Sequence, residues 1–124
     1  MQNNERYERG LRKLAEVNGE GVEHVLEWLD SIAPDFRRYV IEYAFGDIFS
    51  RPALDLRTRE LITVAALTAI GTAAAQLKFH LRAARNVGCT REEIVETIMQ
   101  MSVYAGFPAA LNGLFAAKEV FMEP

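Results

Sequence analysis

His80 stands four residues after Gln76, a spacing that projects both side chains from one side of a helix. Their neighbours on that side, Ala73, Ala83, Ala84 and Val87, are small enough to leave room for a second molecule. Imidazole changes charge close to neutral pH, so a histidine in such a niche suits proton transfer with a bound ligand. Packing against another helix or another subunit is its alternative use. Glu60 heads the most apolar helical stretch of the chain, on a face shared with positions 56, 63, 64 and 67. Buried there, its carboxylate would be poorly solvated and in need of a cation. Pointing to water, it would simply favour the helix dipole. Tyr104, in Tyr104-Ala105-Gly106-Phe107-Pro108, offers either a hydroxyl to a pocket or a packed hinge. Lys78, Arg82 and Arg85 lie off the Gln76–His80 side as a basic flank, solvated or able to attract an anion.

Other chemistries find little material. His24 and His80 are far apart, without HxxxH or ExxH spacing, which suits no metal centre. No G-x-S-x-G, phosphate-binding loop or dinucleotide fingerprint occurs, so cofactor-free chemistry, or none, is expected. Cys89 is the sole cysteine and excludes an internal disulfide or a two-cysteine redox centre. Fourteen Lys and Arg against seventeen Asp and Glu leave a net charge of −3, which argues against a nucleic-acid or acidic-membrane partner. MQNNERYERG lacks the apolar stretch of a secretory signal, making the cytoplasm the expected address. The longest apolar run, residues 61–70, is about half of what a bilayer-spanning helix needs.

Helices must hold these residues in place. With 124 residues, half of them apolar and a quarter charged, the chain has one globular domain's worth of material. Seventeen alanines and the lack of any long apolar–polar alternation predict an all-α, single-domain bundle over residues 1–124, of about six to seven helices. The first helix runs from Glu5 to Val17 with Tyr7, Leu11, Leu14 and Ala15 on one face. The second, Gly21 to Ile32, carries Val22, Val25, Leu26 and Leu29. A third starts at Pro34, places Phe36, Val40, Tyr43 and Ala44 inward, and ends near Gly46. Asp55 caps a buried helix over 56–70, and Thr72 caps the next, Ala73 to Val87, which Gly88 closes. Thr90-Arg91-Glu92-Glu93 forms a capping box opening a helix to about Tyr104. After Gly106 and Pro108 the last helix ends near Phe121. The final two helices outline a helix-turn-helix, but the second has no basic residue before Lys118, too little to anchor phosphates.

Three blocks in order resemble the carboxymuconolactone decarboxylase family. They are Leu54-Asp55-Leu56-Arg57-Thr58-Arg59-Glu60-Leu61, then His80-Leu81-Arg82-Ala83-Ala84-Arg85-Asn86-Val87-Gly88-Cys89-Thr90-Arg91-Glu92-Glu93-Ile94, and Tyr104-Ala105-Gly106-Phe107-Pro108-Ala109-Ala110. The resemblance implies an alkylhydroperoxidase D-like helical fold and a cofactor-free enzyme that assembles as a homo-oligomeric ring, commonly a hexamer. Its namesake reaction removes CO₂ from 4-carboxymuconolactone, giving the 3-oxoadipate enol-lactone of aromatic-acid catabolism. The departing carboxylate sits on a carbon conjugated with the lactone carbonyl, so the released electrons spread onto that oxygen as a dienolate. The protein must hold the carboxylates, stabilise the oxyanion and protonate carbon. On this resemblance His80 is the proton donor or the oxyanion partner, and Glu60 is its acidic companion as in the glutamate–histidine pair of the wider superfamily. Arg59, in the Thr-Arg block, holds a substrate carboxylate by a bidentate contact, and Gln76 and Tyr104 line the substrate.

Two positions depart from familiar decarboxylases: Gln76 stands where they tend to carry Glu, and Glu60 where several have Ser. The acidic group has thus moved from the histidine's own helix to its neighbour. The wider superfamily reduces peroxides through a C-x-x-C-x-x-x-H block. Aligned on His80, the cysteine positions hold Ala73 and Gln76, which leaves a Glu60–His80 relay without the dithiol. Three readings follow: a decarboxylase of a small carboxylated lactone, a same-fold enzyme passing protons to another small substrate, or a non-catalytic oligomeric binding protein.

Overall fold

The computed structural model describes residues 4–19 and 22–124, and every element among them is helical. The chain divides into a unit of residues 1–55 and a unit of residues 56–124.

In the first unit, α1 (Asn4–Asn18) is followed by a 3₁₀ helix (Val22–Ser31) and by α2 (Pro34–Tyr39), which continues as a π-helix (Val40–Ile48). Backbones meet closely here: a Cβ on Gly10 would lie 2.1 Å from the Ile41 carbonyl oxygen, and one on Gly46 would lie 2.7 Å from that of Arg6. Leu14, Val17, Leu29, Ile41 and Phe45 are buried around that contact. Asp47 binds Arg6 at 2.7 Å and Arg9 at 3.3 Å, and the Arg6 hydrogen bond holds its carboxyl below the usual range.

The sequence pattern expects Phe36 and Tyr43 inward, but both are exposed; Ile41, Glu42, Phe45 and Gly46 are the buried residues instead. For Tyr43 the reason is the i→i+5 bonding of the π-helix, such as Phe49 N–H to the Ala44 carbonyl at 2.8 Å, which rotates the inward face away from a 3.6-residue period. Of the expected second helix, Gly21 lies outside the described residues and the remainder is 3₁₀ rather than α.

The second unit holds α3 (Leu56–Ile70), α4 (Ala74–Asn86), α5 (Arg91–Ala105) and α6 (Phe107–Phe121). Val64, Leu77, Leu81, Ala84, Ile94 and Ile98 form its core with small residues of α6. The capping box forms as expected: the Glu93 N–H donates to Thr90 Oγ at 3.0 Å and the Thr90 N–H to Glu93 Oε1 at 2.9 Å. Arg57, at the start of α3, also binds Glu93 and so ties the first turns of α3 and α5 together. Gly88 takes the left-handed backbone (φ 100°) that ends α4. Thr72 does not cap α4: the cap position is Ala73, with no side-chain hydrogen bond, because the helix begins one residue later than the pattern suggests. Among the described residues no helix is long and apolar enough to cross a membrane.

Candidate active site

Burial on α3 recurs every four residues, at Glu60, Val64 and Thr68, so this stripe runs along the helix through the middle of the unit. Glu60 is 0% exposed, which decides between its two sequence readings in favour of the buried one. The hydrogen-bond partner for this carboxylate comes from α4: His80 Nδ1 lies 2.9 Å from Glu60 Oε1. The short turn after Gly71 brings α4 back along α3, and positions 60 and 80 meet near the start of α3. Glu60 Oε2 has no hydrogen-bond partner among the described residues. A fully buried carboxylate with a single hydrogen bond depends on that one partner to offset its desolvation.

The His80 side chain keeps 17% of its surface, in contrast to its partner. Because Nδ1 is engaged by the carboxylate, Nε2 is the ring nitrogen left for a ligand. Phe79 packs edge-on against the imidazole, with ring centroids 5.1 Å apart at 80°. The arrangement can deliver or accept a proton at a solvent-facing ring edge while the charge is balanced from behind.

The remaining sequence candidates lie differently. Arg59 is partly buried beside Glu60 on α3, and its carbonyl accepts from Thr63 Oγ at 2.8 Å. Gln76 is exposed one turn before His80. Tyr104 is 78% exposed at the far end of α5. Since the Arg57–Glu93 pair joins the starts of α3 and α5, Tyr104 lies about 16 Å farther along its helix, away from the Glu60–His80 level. The structure therefore joins Glu60 to His80 and leaves Tyr104 apart from them within one chain. Pattern reasoning gave no sign of Phe79 against the imidazole, since an edge-on ring contact has no period. It also gave no sign of a cavity of about 310 Å³ at the other end of α3, lined by Leu67, Thr68, Leu77, Asn112 and Phe115 among others. Neither Glu60 nor His80 lines that cavity.

Known proteins are similar to this chain in sequence. The model of the carboxymuconolactone decarboxylase family matches residues 34–119. The 4-carboxymuconolactone decarboxylase of Acinetobacter baylyi is 40% identical over 124 residues, covering 99% of this chain and 92% of that protein. A 15.0 kDa protein encoded between nqo9 and nqo10 in Paracoccus denitrificans is 35% identical over 114 residues, 90% of this chain and 85% of that one. The nitrosuccinic acid decarboxylase npaB of Metarhizium robertsii is 30% identical over 115 residues, 91% and 79% of the two chains. This chain belongs to the carboxymuconolactone decarboxylase family.

Proposed function

We propose that this protein is a decarboxylase of a small carboxylated lactone of the 4-carboxymuconolactone type, working without a cofactor in aromatic-acid catabolism. The observation that carries the reading is the Glu60–His80 contact: a buried carboxylate behind a partly exposed imidazole. The carbon–carbon bond to the carboxylate breaks, CO₂ leaves, and the electron pair passes through the ring double bond to the lactone carbonyl oxygen. His80 Nε2–H then protonates the dienolate carbon, and Glu60 steadies the Nδ1 proton and the ring orientation throughout. Arg59 and Gln76 hold the carboxylates of the substrate, while Tyr104, at the far end of α5, is out of reach of it within one chain.

His80→Ala should lower kcat on 4-carboxymuconolactone by about 10²-fold or more, the usual contribution of a positioned general acid. Unchanged turnover would remove His80 from the mechanism. A second reading, a proton relay acting on another small substrate, is favoured by one feature: the acid comes from α3, and position 76 carries an amide. Under that reading 4-carboxymuconolactone is not turned over at all, while Glu60→Gln abolishes one limb of the pH–rate profile on the true substrate.

The protein acts in the cytoplasm as a single domain over residues 1–124 that assembles into a homo-oligomer, a hexamer by analogy with its family. Met99, Val103, Phe107, Leu111 and Phe115 on α5 and α6 stay exposed, an apolar face that a second copy would cover. Light scattering at micromolar concentration should give a multiple of 13.9 kDa. A monomer would overturn the assembly.

A further inference from the structure

Most basic side chains of this acidic protein already have carboxylates. Arg6 and Arg9 bind Asp47, Arg57 binds Glu93, Lys78 binds Glu119 and Arg82 binds Glu123. Around Phe121 the pattern changes. The guanidinium carbons of Arg85 and Arg91 lie over its ring, 5.4 and 5.1 Å from the centroid, and Lys118 stands one turn earlier on α6. None of these three cations has a carboxylate partner among the described residues. Of the acids near them in sequence, Glu93 is engaged by Arg57, Glu119 by Lys78 and Glu123 by Arg82, while Glu92 and Glu96 are exposed.

Two of the cations, Arg91 and Lys118, line a groove of about 320 Å³ whose floor includes Val95, Leu114, Phe121 and Met122. The volume is at the lower end of the range for small-molecule sites. Arg91 is held in place, its Nη2 donating to the Phe121 carbonyl at 3.2 Å. Its position at the first residue of α5 adds the positive end of that helix to the field. Part of the guanidinium charge offsets the carbonyl end of α6; Lys118 makes no such contact and remains unpaired. The groove is set apart from the Glu60–His80 pair, and its lining includes neither residue.

We propose that this groove binds a small organic anion, a carboxylate carrying an apolar chain. Its head group would lie between Arg91 and Lys118 and its chain along Val95, Leu114 and Met122. Unpaired cations beside an apolar floor match both halves of such a molecule, whereas a neutral molecule leaves the cations unused and an inorganic anion leaves the floor wet. The site does not depend on which reaction the Glu60–His80 pair performs.

The test is isothermal titration of the full-length protein with octanoate, octan-1-ol and inorganic phosphate as probes. Octanoate should bind once per chain, with octan-1-ol and phosphate each weaker by about ten-fold or more. Lys118→Gln, which removes a side chain with no internal contact, should weaken octanoate roughly five- to ten-fold without changing the melting temperature or decarboxylase turnover. Arg91→Gln should weaken it at least as much, and the loss should shrink as salt is raised. Octanol binding as tightly as octanoate would overturn the proposal. So would octanoate affinity that ignores both substitutions, or no octanoate binding at millimolar concentration.

Discussion

His80→Ala is a test of stability as well as of activity, because Glu60 depends on that imidazole. Glu60 is fully buried, its Oε1 is hydrogen-bonded to His80, and its Oε2 has no partner among the described residues. Removing the imidazole leaves both carboxylate oxygens unpartnered in the core. Breaking a buried pair from one side costs about 3–5 kcal/mol. The partial exposure of His80 lets water into the space left behind, so the lower figure applies. For a chain of this size, about 3 kcal/mol corresponds to a fall in melting temperature near 10 °C. Glu60→Gln combined with His80→Ala removes the orphaned charge and should recover at least half of the loss, although it deletes more of the native pair. The assay is thermal unfolding by circular dichroism at pH 7, on wild type, both single variants and the double. A His80→Ala melt within about 3 °C of wild type would refute the reasoning. So would a double variant no more stable than the single.

Two further outcomes follow from the second unit. A Cβ at Gly113 would lie 2.9 Å from the Cγ2 methyls of both Thr68 and Ile98, each on a stiff β-branched side chain, so Gly113→Ala should cost about 1–3 kcal/mol in denaturant unfolding. Glu93 is held below the ordinary glutamate range first by the Arg57 hydrogen bond and then by the Thr90 N–H. Its folded value is thus lower than its unfolded value near about 4.3, so its contribution is present above that pH and lost as pH falls through the folded value. Arg57→Gln should accordingly be less stable than wild type at pH 7, with the gap narrowing as pH falls below about 4.3; a gap that stays constant into acid would mean the pair contributes nothing through charge.

Local signals were readable from the residues alone. Thr90 and Glu93 are three positions apart and each satisfies the other's backbone, so the capping box needs no knowledge of the rest of the chain. Gly88 is similar, since a left-handed residue after Val87 favours glycine wherever the helix lies. The ends of α3, α5 and α6 fell close to the expected positions for the same reason. What could not be read depended on partners distant in sequence. Phe36 and Tyr43 follow a 3.6-residue period, but α1 packs on Ile41 and Gly46 through a π-helical turn that no spacing rule announces. Glu60 was equally compatible with water or core until α4 supplied an imidazole twenty residues away. Tyr104 belonged to a recognisable block, yet nothing in the block says which end of α5 faces the histidine.

The division of the proton pair between two helices carries a consequence of its own. When both groups sit on one helix, their separation is set by covalent pitch and resists disturbance. Here the 2.9 Å contact is set by how α4 seats on α3, that is, by the side chains wedged between them. The pair is therefore a gauge of interhelical packing. Hydrostatic pressure, or shaving Val64 or Leu81 by a methyl group, would move the acid relative to the base before it unfolds the chain. Gln76, exposed one turn before His80 on α4, takes no part in that contact, so a change there should leave the 2.9 Å distance alone.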